Sequence, residues 1–259
     1  MAHAWGDPAA YAVSFGPLCA QTVDTVVAAC GPPGPRPFLD VGCGTGSLAA
    51  AARDAGWRVV GLDADPAMAV ASGSALPDLG IGVGALHRLP VADDACGAVG
   101  ANFVVNHTDD PRAAVAELAR VCRSGGRVAL TIWPERLIAV NALWNDVMVA
   151  AGVAPPPRRS LPPGLDVDRD LPGLRTLLAD AGLREVEVRE VPVELRVVPA
   201  DLWRAADGGI ATIGAVYRAQ PPEGRLAMRA AYDAVTAGRL VDGLLVLPGT
   251  ALLGAGTAE

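Results

Sequence analysis

The sequence predicts an α/β fold in which a mostly parallel sheet carries helices on both faces. Three observations predict it. Short apolar runs alternate with helical patterns through the first half of the chain, one run leads into a glycine-rich turn, and the next ends in an acid. With 259 residues, 51% of them hydrophobic, the chain can bury a sizeable core, and one domain with appended elements is the expected organisation.

Strands are expected at about 37–41, 58–63, 80–84, 97–103 and 126–133, with helices at about 46–55, 65–72 and 110–122. The third of these helices opens on Pro111 and is followed by Gly125-Gly126, as helix ends prefer, and Ala114, Val115, Leu118 and Val121 recur at helical spacing. Proline punctuates the second half. A helix at about 137–151 should stop before Pro155-Pro156-Pro157, a loop should follow to Pro163-Gly164, and a helix at about 172–181 should end at Gly182. From Arg184 to Val191 polar and apolar residues alternate, as in a half-exposed strand. Helices at about 200–218 and 222–238 and an apolar strand at about 244–253 complete the chain.

Composition excludes several chemistries. All 21 basic residues are arginine, so Schiff-base chemistry and a lysine-dependent phosphate loop are ruled out. A net charge of -7 argues against a nucleic-acid surface and favours a small-molecule partner. Cysteines 19, 30, 43, 96 and 122 are scattered without metal-ligand spacing, so they read as reduced thiols and no metal is expected. The opening residues show no secretory pattern, and no run of 18 apolar residues occurs. A cytoplasmic protein without membrane contact is expected.

The segment Phe38-Leu39-Asp40-Val41-Gly42-Cys43-Gly44-Thr45-Gly46 is an apolar strand running into a glycine turn and a helix start. Glycines let backbone approach a ligand, and the helix start favours negative groups. A nicotinamide-binding turn would place a third glycine at position 47, where Ser47 stands. The following strand ends in Asp63, which can accept hydrogen bonds from ribose hydroxyls in either kind of site.

The glycine segment resembles motif I of the Rossmann-like, class I S-adenosylmethionine (SAM) dependent methyltransferases. Asp63-Ala64-Asp65-Pro66-Ala67-Met68 is similar to that family's D-x-S-P-x-M stretch. Gly84-Ala85-Leu86-His87-Arg88-Leu89-Pro90 is similar to G-D-A-x-x-L-P, with Ala85 in the place of the aspartate. Asn102-Phe103-Val104-Val105-Asn106-His107 resembles the stretch after the fourth strand, and Arg120-Val121-Cys122-Arg123-Ser124-Gly125-Gly126 resembles R-V-L-R-P-G-G. The matches span residues 38–133 in order.

The resemblance implies a seven-stranded sheet with its last strand antiparallel, and a chain of the small-molecule, ubiquinone/menaquinone C-methylase-like branch, as in natural-product biosynthesis. N-terminal helices at about 1–35 would cover the cofactor, with an insertion at about 136–165 and a helical cap at about 197–240. It further implies that Gly42, Cys43, Gly44 and Gly46 wrap the methionine part of SAM and that Asp40 holds its ammonium group. Asp63 would take the ribose, while Ala64, Met68, Ala85, Leu86 and Asn102 would complete the cofactor site.

Tyr11, Phe15, Trp133, Trp203 and Tyr217 are candidates to line the acceptor chamber, because aromatic residues are scarce and these fall on the covering segment, a strand end and the cap. Trp5 lies on the same covering segment as Tyr11 and Phe15, and the pair Arg158-Arg159 beside the proline run reads as a solvated loop. His107 is the candidate general base, since an unperturbed imidazole titrates near pH ~6.5 and it follows the fourth strand. The expected reaction is methyl transfer to a small molecule, giving S-adenosylhomocysteine. Two other readings stay open on the sequence: a SAM-fold protein that uses the cofactor structurally, as a cyclase or regulator, and a nicotinamide-dependent oxidoreductase.

Overall fold

The computed structural model describes residues 6–154, 161–162 and 164–259. Trp5, the proline run at 155–157, the arginine pair at 158–159 and Pro163 lie outside the described residues. Five parallel strands come first: β1 (Phe38–Val41), β2 (Val59–Asp63), β3 (Gly80–Val83), β4 (Cys96–Asn102) and β5 (Cys122–Ile132). They are followed by β6 (Arg184–Val197), the two-residue β7 (Leu240–Val241) and β8 (Leu244–Thr257). The order across the sheet is β3-β2-β1-β4-β5-β8-β6, with β7 paired to β8. β8 runs antiparallel to both β5 and β6, so the seven-stranded path with a reversed last strand is present. β7 adds a short eighth strand whose two residues are too few to show a period. Strand order reverses between β1 and β4, and ligands of open α/β sheets bind at that switch, beyond the carboxyl ends of the strands.

The helices are α1 (Pro8–Val13), α2 (Gly16–Ala20), α3 (Val23–Ala29), α4 (Ser47–Asp54), α5 (Pro66–Ala75), α6 (Pro111–Val121), α7 (Ala139–Ala150), α8 (Leu171–Asp180), α9 (Pro199–Asp207), α10 (Ala211–Ala219) and α11 (Pro222–Ala237). Four of them, α1, α5, α6 and α8, share one starting device. An aspartate (Asp7, Asp65, Asp110, Asp170) accepts a backbone amide of the first turn, and a proline occupies that turn. Each such cap stabilises its helix by about 1 kcal/mol.

Side-chain alternation along β1 divides the core. Phe38 joins Val26, Leu48, Ala52 and Trp57 on the face covered by α3 and α4, while Leu39 and Val41 join Val115, Leu118, Leu174 and Leu178 under α6 and α8. A third cluster lies beyond the sheet. β8 pairs with β5 only over Arg127–Ile132, so the far parts of β6 and β8 project past it as a ribbon. The cap helices α7, α9, α10 and α11 pack on that ribbon around Leu143, Trp144, Leu195, Trp203, Met228 and Tyr232.

Three expected elements differ in extent. The helix expected at 200–218 is two helices, broken at Gly208-Gly209, where Gly209 has φ +74° and a Cβ on Gly208 would lie 2.3 Å from Ala10 Cβ of α1. The break lets the cap meet the N-terminal helices closely. The strand expected to end at 191 runs to Val197, because Pro192 sits on an edge strand, where a missing donor is tolerated. The last strand runs to Thr257: its small residues make room for the helix above, and a Cβ on Gly254 would lie 2.5 Å from Leu178 Cδ1. Among the described residues no helix is long and apolar enough to cross a membrane.

Candidate cofactor and acceptor site

The carboxyl ends of β1, β2 and β4 converge on the glycine turn. Gly42, Gly44 and Gly46 all have positive φ, a region that side-chain-bearing residues rarely adopt. Gly42 must also lack a Cβ, which would lie 2.4 Å from Val104 Cγ2. The turn is held from β2: the amides of Gly42 and Cys43 donate to the Leu62 carbonyl at 2.7 and 3.0 Å, and that of Gly44 to Asp63 Oδ2 at 2.8 Å. Asp63 Oδ1 accepts the Asp65 amide at 2.8 Å. Burial raises the Asp63 carboxyl, and these two amides pull it back.

Asp40 differs. It is 1% exposed, and neither carboxylate oxygen has a hydrogen-bond partner. Its in-register neighbours on β2 and β4 are Gly61 and Gly100, which bring no side chain beside it. Burial foremost, and then the nearby Asp63, push its carboxyl up to about 8; the Ala49 amide in the first turn of α4 offsets part of this without completing a hydrogen bond.

The remaining candidates fall into three settings. Ala64 is half-buried beside Asp63, Met68 is buried in α5, and Leu86 is buried under Ala85, whose carbonyl accepts the Arg88 amide. Asn102 is engaged on both sides of its amide: Oδ1 accepts from Thr22 Oγ1 at 2.7 Å and Thr131 Oγ1 at 2.5 Å, and Nδ2 donates to the Cys19 carbonyl at 2.9 Å. It ties α2 and the start of α3 to β4 and β5. His107 ends a 3-10 turn, Val105–His107, with Asn106 Nδ2 3.3 Å from its Nε2, while Asn106 Oδ1 is buried without a partner.

Tyr11 lies across the glycine turn, its ring 3.9 Å from where a Gly44 Cβ would stand. Burial, then Cys19, Asp63 and Asp40, hold its phenol well above 10. Phe15 and Trp133 are half-buried against the cap core. Trp203 is buried within that core, 5.0 Å from Tyr232 and 5.3 Å from Tyr217 between ring centroids. Tyr217 opens onto a cleft of about 570 Å³ shared with Arg225 and Arg229.

Several residues here escaped the sequence reading. Phe103 adopts φ +58°, unusual for an aromatic residue, and stacks on Trp133 at 3.9 Å. Val104, Thr22, Thr131 and Asn106 were missed as well. A polar residue at a strand end is the one signal that could have pointed to Thr131; the others depend on contacts distant in sequence. Among the described residues no group of three or more His, Cys, Asp or Glu is placed to hold a metal ion.

The residues present fit SAM. The unpartnered oxygens of Asp40 await a donor such as an ammonium group, the glycine turn follows it directly, and Asp63 stands at the adjacent strand end.

Comparison with known proteins agrees. Residues 39–130 match the family described as a methyltransferase domain. An uncharacterized methyltransferase of Mycobacterium leprae is 43% identical over 106 residues, which cover 39% of each chain, so the chain spans about two fifths of that relative's length. A demethylmenaquinone methyltransferase of Renibacterium salmoninarum is 30% identical over 168 residues, covering 61% of this chain and 70% of the relative. The YcgJ protein of Bacillus subtilis shares the fold, with a TM-score of 0.60 at 18% identity over 92% of this chain and 98% of its own. On fold, motif order and relatives together, the chain belongs to the class I, Rossmann-like family of SAM-dependent methyltransferases.

Proposed function

We propose that the protein transfers the methyl group of SAM to a small-molecule acceptor in the cytoplasm, releasing S-adenosylhomocysteine. The observation that carries this reading is the buried, unpartnered Asp40 carboxyl beside a glycine turn that is itself fastened to Asp63. Bound SAM supplies an electrophilic methyl on a positive sulfur and brings its own leaving group. The chain's residues therefore contribute alignment and exclusion of water. Asp63 accepts the ribose hydroxyls through lone pairs that the amides of Gly44 and Asp65 leave free. The turn from Gly42 to Gly46 lies along the methionine part, Asp40 takes the ammonium group, and Ala64, Met68, Ala85 and Leu86 pack about the adenine. Asn102 serves the site through its ties, holding the covering helices against the strand ends.

On the acceptor side, Tyr11 and Phe15 close the chamber from the N-terminal helices, Trp133 backed by Phe103 forms a wall, and Trp203 with Tyr217 shapes the cap. His107 takes a proton from acceptors that must lose one. The Renibacterium relative is named for demethylmenaquinone, which makes planar ring compounds the first acceptors to screen.

The test is calorimetric titration with SAM and with NAD, followed by mass spectrometry for S-adenosylhomocysteine over an acceptor panel. SAM binding with product formation is expected. Micromolar NAD binding without SAM binding would overturn the reading, and SAM binding with product chemistry that leaves the methyl on sulfur would favour a structural use of the cofactor.

A further inference from the structure

We propose that the cofactor-free protein holds Asp40 as a neutral carboxylic acid and that SAM binding expels its proton to solvent, so that cofactor affinity is linked to pH through this one side chain. The inference rests on the SAM reading above and concerns what the site does before the cofactor arrives.

The two acids at the switch point are both buried, Asp40 at 1% and Asp63 at 6% exposure, but they are supported differently. Asp63 receives two backbone amides at 2.8 Å, one from the glycine turn and one from its own. Asp40 receives none in hydrogen-bonding geometry. The titratable groups facing it from the surrounding elements are Asp63 on β2, which pushes Asp40 upward, and the Tyr11 phenol on α1 and the Cys43 thiol in the turn, which Asp40 and Asp63 both push upward. On the side of α4 the neighbouring group is the Ala49 amide, a dipole rather than a charge. An ionised carboxylate in such a place carries a large desolvation cost that the Ala49 amide offsets only in part, whereas taking up a proton removes the charge. With both acids ionised the pocket would hold two negative charges side by side; with Asp40 protonated it holds one. The upward displacement of the Asp40 carboxyl to about 8 is the same physics expressed as an equilibrium.

An incoming ammonium group reverses the balance. It is the hydrogen-bond donor and positive charge that Asp40 lacks, and it favours the ionised form over the acid. The proton leaves for bulk buffer, the ammonium stays protonated, and one charge pair is formed. Below the free-protein titration of Asp40, each SAM bound must then release close to one proton, and apparent affinity must rise with pH by up to about tenfold per unit, until near pH ~8 the free ligand begins to lose its own ammonium proton and the rise ends.

The experiment is calorimetric titration of the full chain with SAM at about pH 6.5, where free α-amino groups, which titrate near pH ~8, are protonated, so that a released proton comes from the protein. Repeating it in two buffers of different ionisation enthalpy gives the number of protons released. The expected result is about one proton per SAM for the wild type and about none for Asp40→Asn, by the linkage just described. SAM binding without proton release overturns the inference and leaves the SAM reading intact; absence of SAM binding overturns the SAM reading first. Release that persists undiminished in Asp40→Asn also overturns it. Should that variant not fold, the infrared difference spectrum of wild type with and without SAM decides: loss of a protonated carboxyl stretch supports the inference, and its absence overturns it.

Discussion

The cofactor half of the molecule, β1 through β5, positions its site with backbone, whereas the cap positions its own with aromatic side chains. In the first region the determining contacts are main-chain amides on Asp63, glycines with positive φ, and the bare in-register neighbours Gly61 and Gly100 around Asp40. In the cap they are rings: Trp144 lies 5.2 Å from Tyr232 and 6.2 Å from Trp203, and Arg229 sits 5.0 Å over the Trp203 ring. Backbone geometry depends on residue types at fixed spacing and leaves a motif in the sequence. Ring packing depends on volume and can be met by many sequences. The glycine turn is thus the part that leaves a family motif, and the proposal that the cap governs acceptor choice can be tested separately from it.

His107, in the turn that follows β4, should give the largest effect. His107→Gln is expected to lower turnover by about a hundredfold to ten-thousandfold for an acceptor that loses a proton, and to remove the acidic limb of the pH–rate profile measured at saturating SAM. An unchanged profile with a modest loss would assign His107 to positioning. Asp63→Ala should act on the cofactor side alone. It removes hydrogen bonds to a charged group, about 1.5–3 kcal/mol each, so SAM affinity should fall about tenfold or more by calorimetry. A folded variant with wild-type affinity would break the assignment of this strand end.

Stability should also follow pH through the cofactor half. The Asp40 carboxyl titrates at about 8 in the folded protein, against 3.8 for its ordinary value, so the folded chain binds the extra proton between those limits. The stability that Asp40 contributes is therefore full below about pH 4, falls as pH rises toward 8, and levels off beyond it. Thermal melts across that range should slope downward for the wild type and more weakly for Asp40→Asn. Saturating SAM should flatten the wild-type slope. A rising slope shared by both would contradict the sign.

The tie between the covering helices and the sheet can be cut at Asn102. Removing its amide leaves the hydroxyls of Thr22 and Thr131 and the Cys19 carbonyl to find other partners. Asn102→Ala should cost about 1–3 kcal/mol. Hydrogen exchange should quicken in α2 and α3 before it does in β1 and β2. Uniform quickening would mean that the covering helices and the sheet open as one unit.

These contrasts match what the sequence disclosed. The strands around β1 were legible because motif I, Asp63 and the Arg120 to Gly126 stretch each tie one residue type to one backbone geometry. The helix break at Gly208-Gly209 was not, since glycines near a helical pattern are tolerated; the reason for Gly208 lies in Ala10, almost two hundred residues away, and that for Gly209 in its φ of +74° and the Arg218 side chain. The continuation of β6 through Pro192 was not legible either: its tolerance depends on β6 being an edge, which is a property of the sheet. Phe103 carries no local sign of its positive φ; the backbone is held there by its amide to Thr131 and its ring by Trp133.

The smallest effect belongs to the outer side of the cap. Tyr217 meets Trp203 edge to face at 5.3 Å, lies under Arg225 at 5.7 Å and borders the open cleft with Arg229. Losing such a ring contact costs about 0.5–1.5 kcal/mol, so Tyr217→Ala should lower the melting temperature only modestly. Its functional consequence should be selective. α9, which carries Trp203, ends at Gly208, and the Gly208 carbonyl accepts the Asp7 amide at 2.9 Å where α1 begins; α1 in turn carries Tyr11 across the glycine turn. A disturbance at Tyr217 meets Trp203 directly, but reaches the glycine turn only indirectly, across the surface where α9 and Gly208 pack on Ala10 and α1. Tyr217→Ala should therefore change the acceptor KM while leaving the SAM dissociation constant near wild type. The opposite pattern, altered SAM affinity with unchanged acceptor kinetics, would show that the cap serves the cofactor and would erase the division between the two regions.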